Sequence, residues 1–301
     1  MIAAATREAP FGRVLTAMIT PFTPEGDVDY GAAAVVANDL VGLGCDGIIV
    51  NGTTGESPTT SDEEKLTLLT TVLEAVGDRA RVIAGVGTND TRHTLHLAAH
   101  AHRAGVHGLL VVTPYYSKPS QEGLVAHFTA VADASDLPVM VYDIPGRSGV
   151  ALTTETLLRL SEHVRIIANK DAKGDLWAAQ QVMYGSDLVY YSGDDALNLP
   201  LLAVGAVGFV SVTGHVVADR LLAMIEAFQI GDVAKAADIN LALVPVTDGI
   251  MSRVGGTVMV KAALDLLGRA GGGSARLPLV TANEAQRSVL RDDLRAGGFD
   301  L

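Results

Sequence analysis

The sequence contains one cysteine, no long apolar run and fewer cationic than anionic side chains, and each shortage excludes a class of protein. The single cysteine, Cys45, rules out a disulfide framework within the chain and suits a reducing compartment. Because no uninterrupted apolar stretch reaches about 18 residues, the sequence predicts no membrane-spanning helix. The formal net charge is −12, from 22 Lys and Arg against 34 Asp and Glu, which argues against a nucleic-acid partner.

Motifs for targeting, dinucleotides and phosphates are absent as well. The first residues, MIAAATREAPFGRV, lack the basic and then apolar layout of a signal peptide, so we expect a cytoplasmic protein. The stretch NGTTGES at 51–57 is the nearest to a G-x-G-x-x-G turn and does not match it, and no G-x-x-x-x-G-K-[ST] loop is present. These absences weigh against an open nucleotide-binding sheet, the structural alternative for an α/β chain.

Short apolar runs recur along the chain, with amphipathic segments such as 61–76 and 91–104 between them. Strands that are apolar throughout and alternate with helices indicate a parallel sheet covered on both faces. Eight such units are needed for a closed (β/α)8 TIM barrel, and we predict that residues 1–228 form it and carry the active site. The predicted strands are 14–19, 47–50, 82–84, 109–112, 139–142, 166–170, 188–191 and 208–212.

The alternation stops after residue 228. Three segments, 232–251, 257–267 and 282–296, predict helices without strands between them, and 268–278 predicts a loop. We therefore predict that residues 229–301 form a helical region appended to the barrel.

Polar and titratable residues gather where the predicted strands end. In barrels of this type the active site lies at the carboxyl ends of the strands, so these residues are expected to meet at one mouth. Hydroxyls, phenols, one arginine and one lysine dominate the set, and its carboxylates lack partnering histidines, so no metal site is predicted. The segments concerned are 51–57, 113–116, 142–147, 170–171 and 192–195.

Lys170 stands at the end of a predicted core strand, although lysine is rarely buried without a partner. A free amine attacks a ketone to form a Schiff base, and desolvation favours that free form by lowering the lysine pKa. The alternative is that Lys170 reaches the rim and pairs with Asp171 or Asp175. Spacing alone leaves the two interpretations equal, and the neighbouring Thr, Tyr and Arg residues favour the covalent one.

Other charged residues have simpler interpretations. Asp194 and Asp195 are predicted to cap the following helix and not to form an acid/base pair. The lysines expected to be solvated or ion-paired are Lys118, Lys173 and Lys261.

Five stretches of the sequence together resemble one known family, the dihydrodipicolinate synthases (4-hydroxy-tetrahydrodipicolinate synthases) of lysine and diaminopimelate biosynthesis, in their actinobacterial form. The resemblance spans nearly the whole chain and places it in the pyruvate-dependent class I aldolase/lyase superfamily. It implies a lyase that needs no cofactor and condenses pyruvate with L-aspartate 4-semialdehyde. The stretches are GTTGESPTT (52–60), VVTPYYSKPSQEG (111–123), YDIPGRSG (142–149), NKDAKGD (169–175) and YSGDDALNLP (191–200).

The resemblance also implies a set of catalytic residues. Lys170 would form the imine with pyruvate, and Tyr142 would relay protons at the imine and the enamine. Thr53 would hydrogen-bond Tyr142 and link it to Tyr116, which in this family reaches in from a neighbouring subunit. The resemblance therefore implies a homo-oligomer, a tetramer built as a dimer of dimers.

Substrate-binding residues follow from the same resemblance. Thr54, together with Thr53, would hold the pyruvate carboxylate, and Arg147 would bind the carboxylate of the semialdehyde. The backbone of Gly193 and Val210 would line the pyruvate pocket.

One departure from the family pattern lies next to the lysine. The family usually has glycine and then an aliphatic residue there, whereas this chain has Ala168 and Asn169. Side chains alternate along a strand, so Asn169 should face the helix layer, where a polar group needs a hydrogen-bond partner.

Two other functions are open at this point. Within the superfamily, the rival is a Schiff-base aldolase for a 2-keto-3-deoxy sugar acid or sialic acid. Such members resemble this chain around Lys170 and Tyr142 but usually lack an arginine at the position of Arg147. The second threonine of the GTT stretch, Thr54, also separates these aldolases from the dihydrodipicolinate synthases. A sensor that binds pyruvate-like acids without catalysis is the other rival, and such a module has no need of a Schiff-base lysine.

The resemblance finally bears on feedback inhibition by L-lysine, which many bacterial members show. Asp62 and Lys65 fall where lysine-sensitive enzymes tend to carry histidines, and His93 replaces a carboxylate. We therefore predict inhibition that is weak or absent. The positions that match the effector cleft are Ser57, Pro58, Asp62, Lys65, Asn89, His93 and Tyr115.

Overall fold

Eight parallel strands alternate with helices in the computed structural model, which describes residues 8–301. Each strand pairs with the next along the chain, and the last pairs with the first, so the sheet closes into a barrel. The predicted (β/α)8 barrel is confirmed. The strands are β1 Val14–Ala17, β2 Gly47–Val50, β3 Arg81–Gly85, β4 Gly108–Val112, β5 Val139–Asp143, β6 Ile166–Asp171, β7 Val189–Ser192 and β8 Gly208–Ser211.

Helices follow the strands and form the outer layer. Two short 3₁₀ helices, Ser57–Thr59 and Asp195–Leu197, lie in the loops after β2 and β7. The α-helices of the barrel are α1 Tyr30–Gly42, α2 Asp62–Val76, α3 Thr91–Ala104, α4 Gln121–Asp133, α5 Pro145–Ser148, α6 Thr154–Ser161, α7 Leu176–Gly185, α8 Asn198–Val204 and α9 Gly214–Gln229.

The first strand is shorter than predicted. It ends at Ala17 and not at residue 19, because the Ile19 N–H bonds to the ring Nε2 of His215 at 3.0 Å and not to a neighbouring strand. A capping box starts α2: the Ser61 hydroxyl accepts from the Glu64 N–H, and the Glu64 carboxylate accepts from the Ser61 N–H.

Register places alternate residues of β5, β6 and β7 inside the barrel. Tyr142 is the register partner of Lys170, and Lys170 is the partner of Tyr191. Asn169 pairs in register with Tyr190, whose ring packs in the core between the strands and the helices. Asn169 therefore faces the helix layer, as predicted, and is fully buried there.

Helices alone follow the barrel, as predicted. The first, α10 (Val233–Thr247), contains Pro245 and passes into a π-helical turn at Asp248–Ser252, so the single helix predicted at 232–251 changes its winding before its end. Two more helices complete this region, α11 (Gly256–Leu266) and α12 (Glu284–Ala296). Among residues 8–301, no helix combines the length and the apolar character that crossing a membrane requires.

Candidate active site

A cavity of about 590 Å³ opens at the carboxyl ends of β2 to β5. It receives four of the predicted site residues, Thr53, Tyr116, Tyr142 and Arg147. The seven positions matched to the effector cleft line the same cavity, so cleft and mouth are continuous in this chain. They are Ser57, Pro58, Asp62, Lys65, Asn89, His93 and Tyr115.

Lys170 lies beneath this mouth, near the end of β6. Its side chain is buried, with 5% of the residue exposed, and its Nζ lies 4.0 Å from the centre of the Tyr142 ring. Burial lowers the pKa of Lys170 to about 7; the Asp195 carboxylate opposes this shift and the Arg147 guanidinium adds to it. A substantial fraction of the molecules therefore carries a free Lys170 amine near neutral pH, which is the form that attacks a carbonyl.

Tyr142 is the last residue but one of the neighbouring strand, β5, and presents its ring to Lys170. Burial raises the pKa of its phenol to about 12, and Arg147 partly counters that shift. The phenol is consequently neutral at pH 7 and holds a proton to donate. Arg147 follows on α5, whose start is fixed by Pro145, and its guanidinium stays exposed at the mouth.

The loop after β2 carries the two threonines. Thr53 lines the cavity, whereas Thr54 is buried in the loop. No hydrogen bond joins Thr53 to Tyr142 in the part of the chain that the structure describes. The threonine and the phenol share one cavity without forming the relay that the resemblance implies.

Gly193 and Val210 lie on the far side of Lys170. A Cβ on Gly193 would come within 2.9 Å of both Cγ and Cε of Lys170, so only glycine leaves the lysine room. Val210 is buried inside the barrel on β8, beside Leu15 of β1.

Tyr116 is the outlier of the set. It is 90% exposed and has a positive φ of 73°, a backbone region that non-glycine residues seldom occupy. Most of its side chain is therefore open to solvent at the edge of the cavity, and its ring stacks on no other ring of residues 8–301.

Two buried carboxylates at this mouth make contacts that the sequence does not predict. Asp194 caps the following 3₁₀ helix as expected, but Asp195 does not. Its carboxylate accepts from the Ser211 hydroxyl and from the N–H groups of Val212 and Thr213, so it joins the end of β7 to the end of β8. The second, Asp143, lies 3.5 Å from the Lys173 ammonium, and burial raises its pKa to about 6.

Comparison with known proteins decides the family. Residues 10–297 match the model of the dihydrodipicolinate synthetase family. This chain belongs to that family. The 4-hydroxy-tetrahydrodipicolinate synthase 2 of Streptomyces coelicolor is 59% identical over the full length of both chains.

Solved dihydrodipicolinate synthases share the architecture. One from Cyanidioschyzon merolae, with lysine bound, is 41% identical, covers 97% of this chain and 99% of its own, and superposes with a TM-score of 0.93. A chloride-inhibited enzyme from Acinetobacter baumannii, complexed with pyruvate, is 32% identical, covers 96% and 99%, and superposes with a TM-score of 0.91. The family therefore accounts for the whole barrel and the helices that follow it.

Proposed function

We propose that this chain is a lyase that condenses pyruvate with L-aspartate 4-semialdehyde to 4-hydroxy-tetrahydrodipicolinate, with Lys170 forming the Schiff base. The observation that carries the proposal is the buried Lys170 amine with a pKa of about 7, placed against Tyr142 at the barrel mouth. The family membership and the full-length relative from Streptomyces coelicolor support the same activity.

The residues divide the chemistry among them. The free Lys170 amine attacks the pyruvate ketone and releases water, and the resulting imine withdraws electrons so that a methyl proton can leave. The enamine carbon then attacks the aldehyde and forms the new C–C bond, and the amino group of the semialdehyde displaces the Lys170 nitrogen from the imine carbon, which closes the ring and frees the lysine. Tyr142 supplies and recovers protons at these steps, while Thr53 and Thr54 hold the pyruvate carboxylate beside the backbone of Gly193 and Val210.

Arg147 is the residue that separates this activity from that of a sugar-acid aldolase. We expect Arg147→Ala to form the pyruvate imine normally and to raise the KM for the semialdehyde by about 10- to 150-fold, since a charge-assisted hydrogen bond to its carboxylate is lost. Arg147 also lowers the pKa of Lys170, so its removal changes the fraction of free amine. The wild type and the Arg147→Ala variant are therefore compared well above pH 7, where the amine is free in both.

Arg159→Ala is the matched control, because Arg159 forms an exposed ion pair with Glu122 on the outer helices. It should leave both KM values unchanged. Equal losses for pyruvate and the semialdehyde in Arg147→Ala would show that Arg147 organises the site without selecting the second substrate. Cleavage of a 2-keto-3-deoxy sugar acid in preference to the condensation would overturn the proposed function itself.

The exposed Tyr116 supports a homo-oligomer in which this ring completes a neighbour's site, and we propose a tetramer built as a dimer of dimers. Lys170→Ala and Tyr116→Phe subunits should each be nearly inactive. When the two variants are mixed so that their subunits exchange, about one quarter of wild-type activity should return. Half of the randomly formed pairs are hybrids, and each hybrid has one intact site out of two. Hybrids that form without any recovery would place Tyr116 outside the neighbour's relay.

The effector cleft supports weak or absent inhibition by L-lysine. His93 Nε2 lies 3.0 Å from the Asp62 carboxylate and so occupies it, and the Lys65 ammonium donates to the Thr60 carbonyl. No ion pair neutralises Lys65 within residues 8–301. A repelled effector ammonium costs about 1–3 kcal/mol, or roughly 5- to 150-fold in affinity.

Titration of L-lysine into the steady-state assay tests this. We expect no saturable inhibition below millimolar lysine, and we expect His93→Glu, which adds a carboxylate and frees Asp62, to increase inhibition. Strong inhibition of the wild type by sub-millimolar lysine would contradict the prediction.

We further propose a cytoplasmic location and a division into a barrel, residues 1–228, and a helical region, residues 229–301. The cytoplasmic location stays a prediction. The end of α9 at Gln229 and the helices that follow it support the division.

A further inference from the structure

A buried ion pair connects the helical region after the barrel with the loop that carries Thr53 and Thr54. Lys261 of α11 is 1% exposed, and its ammonium donates to the Glu56 carboxylate and, at 2.8 Å, to the Ser274 carbonyl. The Glu56 side chain is equally buried. The two residues are 205 positions apart in the sequence, so only the folded chain brings them together.

Glu56 has a backbone conformation that needs support. Its φ of 54° and ψ of 35° lie in the left-handed region, which a residue with a side chain seldom occupies. Hydrogen bonds hold both carboxylate oxygens: one accepts from Lys261, and the other accepts from the Arg276 N–H at 2.9 Å. The carboxylate is thus fixed at both ends by the segment 256–276.

The position of Glu56 sets the position of the threonines. The Glu56 N–H donates to the Thr53 carbonyl at 3.0 Å, and the Gly55 N–H donates to the Gly52 carbonyl at 3.1 Å. These bonds make 52–56 one closed turn. The backbone of Glu56 is therefore connected directly to that of Thr53, which lines the cavity.

The Arg276 side chain binds the segment that follows this turn. Its guanidinium donates to the Thr59 carbonyl at 2.9 Å and pairs with the Glu64 carboxylate of α2. Both cations also contact the ring of Phe22. The Lys261 ammonium lies 4.3 Å and the Arg276 guanidinium 4.5 Å from the centre of that ring. Two cations from the helical region thus enclose the base of the loop.

We propose that Lys261 is a positioning residue for pyruvate: acting through Glu56, it holds the 52–56 turn so that Thr53 and Thr54 meet the pyruvate carboxylate. This rests on the proposed function of that loop. A buried ion pair gains less stability than its contacts suggest, because both charges leave water. The contribution of this ion pair is to orient the Glu56 carboxylate, which is held between two hydrogen-bond donors.

Lys261→Met keeps an unbranched apolar stem, with sulfur in place of one methylene, and removes the ammonium. We expect it to raise the KM for pyruvate by about tenfold or more, the effect of losing well-placed hydrogen bonds to a carboxylate, while the kcat at saturating pyruvate and the KM for the semialdehyde change little. In a Glu56→Gln background, adding Lys261→Met should change the KM for pyruvate much less, because Lys261 acts through Glu56. The Glu56→Gln/Lys261→Met double variant buries no unpaired charge, so it serves if Lys261→Met alone folds poorly.

Arg253→Gln is the control, because Arg253 pairs with Asp293 in the same helical region and does not touch the loop. Borohydride trapping of pyruvate on the wild type and on this control tests the proposed function separately. Wild-type trapping combined with an unchanged KM for pyruvate in Lys261→Met would overturn the positioning role. Additive effects of Glu56→Gln and Lys261→Met on that KM would do the same.

Discussion

Lys170→Ala should abolish borohydride trapping of pyruvate and lower kcat by on the order of a thousandfold or more, as removal of a covalent nucleophile does. The fold should persist, because the substitution removes a buried cation whose charged form is disfavoured by burial. Circular dichroism and thermal unfolding check the fold, and the coupled assay with both substrates checks the turnover.

Lys235→Ala is the matched control, since Lys235 lies exposed on α10, far from the mouth. It should trap pyruvate as the wild type does. Labelling of the Lys170→Ala variant by pyruvate at Lys173 or Lys118 would show that the covalent residue is a different one.

The rate of imine formation should also depend on pH through the Lys170 amine. Its pKa is lowered to about 7, so protonation removes the nucleophile as the pH falls below that value. Trapping rates should rise with pH and level off above about pH 8, where nearly all of the amine is free. A rate that still rises steeply toward pH 10 would place the pKa near that of an ordinary lysine.

Tyr142→Phe is expected to give the second large effect. The variant keeps the ring against Lys170 and loses only the hydroxyl, so kcat should fall by about 10²- to 10⁴-fold, the usual contribution of a positioned acid or base. Pyruvate should still become trapped on Lys170, but more slowly. A time course of trapping and the steady-state kcat measure the two effects.

Tyr184→Phe serves as its control, because Tyr184 is exposed on α7 and touches no part of the mouth. It should leave both measurements unchanged. A Tyr142→Phe enzyme with a kcat near that of the wild type would show that another group, or water, moves the protons.

The barrel could be predicted from the sequence because its signal is local. Each strand is an apolar run and each helix an amphipathic one, and the capping box of Ser61 and Glu64 is complete within four residues. Errors arose where a distant residue decided the end of an element. His215 takes the Ile19 N–H and so ends β1 early, although 196 positions separate the two residues.

The same reasoning explains which of the predicted site residues the fold brings together. Lys170, Tyr142 and Arg147 stand at or just after strand ends, which the topology brings to one mouth. The sequence suggests only a helix cap for Asp195, because its partners at the end of β8 and just after it are 16 to 18 positions away and become neighbours only when the barrel closes. Lys261 was expected to be solvated or ion-paired, but no local pattern connects it with Glu56.

Asn169, the departure from the family pattern, lies on the other side of β6 from Lys170. It is buried against Tyr190 on the helix side of β6, whereas Lys170 faces the barrel. The unusual amide therefore affects packing between strand and helix, and the chemistry faces the opposite side of the strand.

Identification of the lysine that pyruvate labels tests the central claim most directly. The chain has six lysines, so reduction of the wild-type imine with borohydride, followed by peptide mapping, resolves each one. We predict a single modified peptide, labelled on Lys170, and loss of activity in proportion to the label. A label on any other lysine, or no label at saturating pyruvate, would contradict the proposed mechanism.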